Sequence, residues 1–322
     1  MKRINIGLLG LGNIGSGTYK VLEMNRGRIE AETGLDLRVK RILEMDTARD
    51  RGFAVPPGAF TQDMDDILGD PDIGIVVELL GGIEPATSFM AAALGAGKSV
   101  VSANKAAIAE NYELLTAAAA KGGAELRFEA SVGGGIPLIG AVKEHLCANE
   151  FTELLGILNG TTNYILTKMG EEGRPYDDVL KEAQSLGFAE ADPTADVEGH
   201  DVANKLSILM SLVFGRRVRP EEIPTRGISS LTKADMDEAD GQGCVIKLLA
   251  SAFRTPDGGC ECFVQPTLLN KGHPLADVRN EFNALFLKGN AVGELMLYGK
   301  GAGPFPTASA VLGDVIAIAR RL

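Results

Sequence analysis

Apolar residues fill Ile4–Leu9 apart from Asn5 and the flexible Gly7, a pattern that predicts a short buried strand. Further strands are expected at Leu37–Leu43, at the β-branched run Ile73–Leu80, at Ser99–Ser102 and at Leu126–Glu129. Between them the pattern predicts helices from Ser16 to about Asn25, over Pro85–Ala96 and over Glu110–Ala120. Gly97 and Gly122-Gly123 close the last two. Strands alternating with helices in this way build a doubly wound α/β parallel sheet covered on both faces.

The pattern changes after the glycine-dense stretch Ser131–Pro137. Glu150–Leu158 predicts a strand that runs into Asn159-Gly160-Thr161-Thr162-Asn163, followed by helices over Tyr164–Gly170 and Tyr176–Gly187. Phe188–Gly199 reads as a loop rich in Asp, Pro and Ala, and His200–Phe214 as a strong helix. Strand-like segments follow at Cys260–Val264, Ala284–Leu287 and Leu295–Gly299, then the turn Gly301–Pro304 and an apolar helix over Thr307–Arg320. Two domains are expected: residues 1–130, and an α+β domain over residues 131–304, with the final segment 305–322 free to pack back on the first.

Length and charge narrow the function classes. The 322 residues suffice for two cores, and the net charge of −11 argues against nonspecific binding to nucleic acid or anionic lipid. The longest apolar stretches, Ile73–Leu80 and Ile246–Phe253, are too short for a membrane span, and the N-terminus lacks a signal-peptide pattern. Four cysteines are too few for a disulfide framework. A cytoplasmic soluble enzyme is the expectation.

Gly10, Gly12 and Gly15 occupy G-x-G-x-x-G directly after the first strand and at the opening of a helix, the context of a Rossmann-type dinucleotide site. The first glycine permits the turn, the second lets a pyrophosphate approach, and the third allows strand and helix to pack. After the second strand, Glu44 and Asp46 favour NAD because a carboxylate there accepts from the ribose 2′-hydroxyl; Arg49 keeps NADP open. Further along, Ala183–Lys205 packs five carboxylates, a lysine and two glycines around one helix start. Asp201 and Lys205 stand i and i+4 on one helical face. Because Leu206, Ile208, Leu209, Leu212 and Val213 make the helix heavily apolar, those charges are expected to line a cleft rather than a solvated surface.

Over Ala183–Lys205 the chain resembles the homoserine dehydrogenase family at every specified position of its signature. Gly10–Gly15, Val77–Gly82, Ser102-Ala103-Asn104-Lys105, Glu129–Pro137, Gly156–Tyr164, His273–Ala276 and Gly301-Ala302-Gly303 agree with it in order. The resemblance implies NAD(P)-dependent interconversion of L-homoserine and L-aspartate 4-semialdehyde in threonine and methionine biosynthesis. It further implies Lys205 as proton donor or acceptor and Lys105 as a second cation beside cofactor and substrate. Glu190 and Asp201 are implied as homoserine ligands, with Asp192, Asp196 and Thr161 as further candidates. Leu11, Asn13, Ile14, Gly187 and Gly303 are implied as cofactor contacts. Backbone oxygens of Glu129, Val132, Gly134 and Ile136 are implied as holders of a sodium ion, and the assembly as a homodimer. Many relatives carry Arg-Asp where this chain has Met45-Asp46, which strengthens the preference for NAD over NADP. Longer relatives append an ACT-type threonine-binding domain; none is expected here.

Other features read as structural. His145, His200 and His273 are too scattered for a metal site. Cys260 and Cys262 share one face of a strand, and Lys233–Asp240 is a solvated helix face. Two other functions compete: a dehydrogenase of another amino-acid alcohol, and a silent dinucleotide sensor. The sensor is disfavoured because Lys105, Glu190, Asp201 and Lys205 are all present.

Overall fold

The computed structural model describes residues 2–322, which divide into two compact units, residues 2–135 with 302–322, and residues 136–301. In the first, β1 (Lys2–Leu9) leads through the glycine turn into α1 (Asn13–Thr33), then β2 (Leu35–Leu43), β3 (Phe60–Thr61), α2 (Asp65–Leu68), β4 (Ile73–Glu78), α3 (Ala86–Gly95), β5 (Ser99–Ser102), α4 (Lys105–Gly122) and β6 (Leu126–Arg127). The sheet is parallel, in the order β3-β2-β1-β4-β5-β6. Successive strands are therefore added outward on one side from β1 and on the other from β4, and the glycine turn sits at the carboxyl end of β1 beside that switch point. Ile6, Leu8, Ile75, Val77 and Val101 are buried in one core, and Val76 and Val100, which alternate with them along β4 and β5, are buried as well, as a sheet covered on both faces requires.

Two boundaries differ from the sequence reading, and two short elements are additional to it. α1 runs eight residues beyond Asn25, because its polar last turns are supported by the Arg28–Glu32 pair (2.9 Å) and closed by left-handed Gly34 (φ 72°). α4 starts at Lys105 and not Glu110, since the Asn104 side chain caps it by accepting from the Ala107 N–H at 3.1 Å. β3 and α2 are too short to leave a periodic signal.

In the second unit, β7 (Phe151–Ile157) is followed by α5 (Gly160–Glu172), α6 (Tyr176–Ser185), α7 (Thr194–Val197), α8 (His200–Val213) and α9 (Lys233–Gly241). Then come β8 (Cys244–Arg254), β9 (Cys260–Asn270), β10 (Phe282–Gly289) and β11 (Gly293–Lys300). These strands form an antiparallel sheet in the order β11-β10-β7-β8-β9. β8 was not expected as a strand: its continuous apolar stretch lacks the alternation that marks a half-solvated one, because Ile246–Ala252 is buried throughout. Its neighbour β9 extends to Asn270, where alternation stops being apolar.

The chain ends in α10 (Pro304–Ala319), which belongs to the first unit and lies against α1. Val311 and Val315 join the same core as Ile4 and Ile75. Among the described residues no helix is long and apolar enough to cross a membrane.

Candidate active site

The glycine turn meets all three demands of its motif. Gly10 adopts φ +87°, and a Cβ there would lie 3.0 Å from Leu80 Cδ2 and 3.1 Å from the Leu79 carbonyl. A Cβ on Gly15 would fall 2.2 Å from the Gly10 oxygen, so strand and helix meet only through glycine. A Cβ on Gly12 would meet nothing within 4 Å. That open backbone, at the first turn of α1 with Asn13 and Ile14, is where a pyrophosphate could approach helix N–H groups. Beside it lies a cavity of about 370 Å³ whose lining includes Leu11, Gly12, Asn13, Arg49 and Arg51. The residues present fit a dinucleotide.

The carboxylate of Glu44 accepts from the Leu11 N–H (3.0 Å) and the Asp46 N–H (3.1 Å) and pairs with Arg51 (3.2 Å). Burial opposes ionisation of Glu44, but those donors outweigh it and hold its carboxyl below the usual range. Arg51 also donates from Nε to the Leu11 carbonyl at 3.1 Å, and its side chain is only 5% exposed. Sequence reasoning passed over Arg51, since its role comes from tertiary contact and no motif marks it. Asp46 accepts from the Arg49 N–H at 3.1 Å, and Met45 stands 70% exposed.

At the carboxyl ends of β4 and β5, Glu78 is fully buried. It accepts from Ser102 Oγ (2.6 Å) and the Leu80 N–H (2.8 Å), while Asn104 Nδ2 donates to the Gly82 carbonyl (2.7 Å). Burial pushes the Glu78 carboxyl up, against those hydrogen bonds. This knot fixes the turn that presents Lys105 as the first residue of α4, a helix end where the macrodipole disfavours a cation. Glu78 and Ser102 were legible only as parts of a resemblance, without roles.

In the second unit, Lys205 of α8 is 9% exposed. Its Nζ donates to Asp201 Oδ2 (2.7 Å) and to the Leu158 carbonyl (2.6 Å). Asn159 caps α5 by accepting from the Thr162 N–H (2.9 Å), and its Nδ2 donates to Asp201 Oδ2 (2.9 Å) and Asp196 Oδ1 (2.7 Å). Thr161 Oγ1 donates to the Phe188 carbonyl (2.6 Å) and lies 3.5 Å from Asp196 Oδ2. Lys205, Asp201, Asp196 and Thr161 thus form one polar network, and Asn159 is its hub. Thr161, Asp196, Asp201 and Lys205 are brought together from three helices.

The remaining candidates stand apart from that network. Glu190 lies exposed between α6 and α7, and its carbonyl accepts from Gln184 Nε2 at 3.1 Å. Asp192 accepts from the Thr194 N–H (3.1 Å) and hydroxyl (2.6 Å), which opens α7. Gly187 (φ +76°) ends α6, and Gly303 (φ +113°) precedes α10. Glu129 begins a 3₁₀ turn whose N–H donates to Asp314 Oδ2 at 2.8 Å. Val132 is buried, and Gly133 and Gly134 take positive φ. Asp314 is pushed up to about 6 by burial. His200 is exposed, His145 is exposed, and His273 caps a 3₁₀ turn through Nδ1. Among the described residues no cluster of His, Cys, Asp or Glu has metal-ligand geometry.

A doubly wound sheet with a glycine turn at its switch point, and a second unit with a buried lysine–carboxylate network, define an NAD(P)-binding oxidoreductase of small molecules. Residues 10–129 match the family profile described as the NAD-binding domain of homoserine dehydrogenase, and residues 137–316 match homoserine dehydrogenase itself. The chain is 44% identical to homoserine dehydrogenase of Bacillus subtilis (strain 168) over 323 residues, which cover 100% of the chain and 74% of that relative. It superposes on a homoserine dehydrogenase of Thiobacillus denitrificans with a TM-score of 0.93 at 46% identity, covering 99% of this chain and 74% of that one. A hyperthermophilic archaeal homoserine dehydrogenase in complex with NADPH gives a TM-score of 0.81 at 28% identity, covering 99% and 98%. The chain belongs to the homoserine dehydrogenase family. Its activity is the NAD(P)-dependent interconversion of L-homoserine and L-aspartate 4-semialdehyde.

Proposed function

We propose that Lys205 exchanges the hydroxyl proton of homoserine, and that its buried bonds to Asp201 and the Leu158 carbonyl are the observation that carries this role. The chemistry supplied by a bound nicotinamide is exchange of a hydride with the carbon that bears the hydroxyl. In the reductive direction the Lys205 ammonium gives a proton to the oxygen as it becomes an alkoxide; in oxidation the neutral amine takes that proton. Asp201 and Leu158 hold the amine to one rotamer, so its proton is presented in one direction. Lys105, the first residue of α4, is proposed as a second cation beside the bound cofactor. Glu190 takes the substrate α-ammonium, for which an exposed carboxylate is a natural partner. Thr161 and Asp196 orient the amino-acid end.

NAD is the preferred cofactor in this reading. Glu44 supports it as a low-lying carboxylate next to the glycine turn, where a 2′-phosphate would meet like charge. Met45 leaves the adjoining position without a cation. Steady-state homoserine oxidation should show a higher kcat/KM with NAD than with NADP; equal values or the reverse order would refute the preference.

The carbonyls of Glu129, Val132, Gly134 and Ile136 are proposed to hold a sodium ion, a hard cation suited to oxygen ligands. Thermal stability in sodium against tetramethylammonium checks this, and identical curves would remove the ion. Met296 and Tyr298 on edge strand β11, 37% and 51% exposed, support a homodimer, which light scattering would reveal or refute. Four free thiols fit the proposed cytoplasmic location. Fractionation that finds the protein outside the cytoplasm would contradict it.

A further inference from the structure

The second unit contains another cavity, of about 810 Å³, between α5, α9 and the start of β8. None of Asn159, Thr161, Asp196, Asp201 and Lys205 lines it. Its volume is that of a small-molecule site, which typically measures roughly 300–1,000 Å³. Lys247 of β8 forms part of the lining and is 3% exposed. Its Nζ donates to the Val278 carbonyl (2.6 Å) and to Asn163 Oδ1 (3.1 Å), two neutral acceptors. Among the described residues no carboxylate bonds this buried ammonium directly, and a third N–H remains to be given.

Charges facing Lys247 come from the loop after β9 and from α5. Glu171 and Asp277 favour its ammonium and Arg279 opposes it, and burial pushes the amine down to about 8. Arg279 bonds Glu171 at 2.9 Å and approaches Asp277 at 3.8 Å, with all three side chains at least half exposed. Such exposed pairs are weak and readily exchange partners. On the α9 side the lining carries Asp237 and Asp240, which form exposed pairs with Lys233 and with Lys271 (2.5 Å), and Leu166, Met236 and Ile246 add an apolar wall. Exchangeable cations and carboxylates at both rims, a buried ammonium at one of them and hydrocarbon between match a zwitterion with an apolar body.

We propose that this cavity binds a free α-amino acid with an apolar side chain. Its carboxylate lies between Lys247 and Arg279, its α-ammonium meets Asp237 and Asp240, and its side chain rests on Leu166, Met236 and Ile246. Equilibrium dialysis of the full chain with L-norleucine, in the presence of NADH and saturating L-homoserine, tests this. Norleucine should bind one equivalent per chain. Hexanoate, which lacks the ammonium, and hexylamine, which lacks the carboxylate, should each bind at least about tenfold more weakly. Lys247→Met should remove binding. Because that variant also loses hydrogen bonds inside the unit, Arg279→Gln and Asp240→Asn provide a second test, and each should weaken norleucine several-fold while homoserine turnover is kept. Absence of binding at millimolar norleucine would overturn the proposal. So would equal binding of hexylamine, competitive displacement by homoserine, or affinity unchanged in both rim variants.

Discussion

Asp201 Oδ2 is shared by two donors, Lys205 Nζ and Asn159 Nδ2, so one carboxylate oxygen both holds the amine and ties it to the cap of α5. The spacing of Asp201 and Lys205 is visible in the sequence because one helical turn sets it. Asn159 and Arg51 are not, because Asn159 reaches Asp196 and Asp201, 37 and 42 positions on, and Arg51 reaches Leu11, 40 positions back, only after the chain has folded. Glu190 shows the opposite case: the sequence signature singles it out, yet its carboxylate stands in solvent outside the network. An exposed group that serves only to meet a ligand should leave the fold unaffected when changed. Glu190→Gln is therefore expected to raise KM for homoserine about tenfold with little change in melting temperature, since a charge-assisted bond to an ammonium is worth about 1.5–3 kcal/mol. An unchanged KM would remove Glu190 from ammonium recognition.

At the scale of elements, the parallel sheet and the order of its helices follow from strand-period and helix-period runs, and most of those runs are long enough to read. What escaped were elements whose signal is tertiary. β8 is buried along its central run and so carries no alternation, and β3 is only two residues long. The contact of α1 with α10 is of the same kind. Gly17 falls just outside the dinucleotide motif, yet a Cβ there would lie 2.7 Å from the Pro304 carbonyl. Backbone cannot give way as a flexible side chain does, so Gly17→Val should destabilise the protein by about 1–3 kcal/mol. Urea unfolding measures that loss. A variant as stable as the parent would mean that the two helices do not meet through this glycine.

For the whole molecule, stability should depend on pH through two buried acids of the first unit. Asp314 is pushed up to about 6 and Glu78 is pushed up as well, both by burial. A raised carboxyl binds its proton in the folded chain where the unfolded chain has already released it. Its contribution is thus favourable at low pH and is lost as pH rises from the ordinary carboxyl range through the folded value. Asp314→Asn keeps an oxygen to accept the Glu129 N–H and removes the titration. Relative to the parent, the variant should gain on the order of 2 kcal/mol between about pH 4 and 7. A stability difference that is constant across that range would contradict the assignment.

The most direct test of the mechanism divides cofactor binding from chemistry, because these are assigned to different units of the chain. Lys205→Met can be examined by steady-state homoserine oxidation and by NADH titration of the same preparation. Loss of the proton carrier should lower kcat by about 10²–10⁴-fold while NADH affinity stays within a factor of about two. Near-normal kcat, or a loss of activity matched by an equal loss of NADH affinity, would show that Lys205 is not the group that moves the proton.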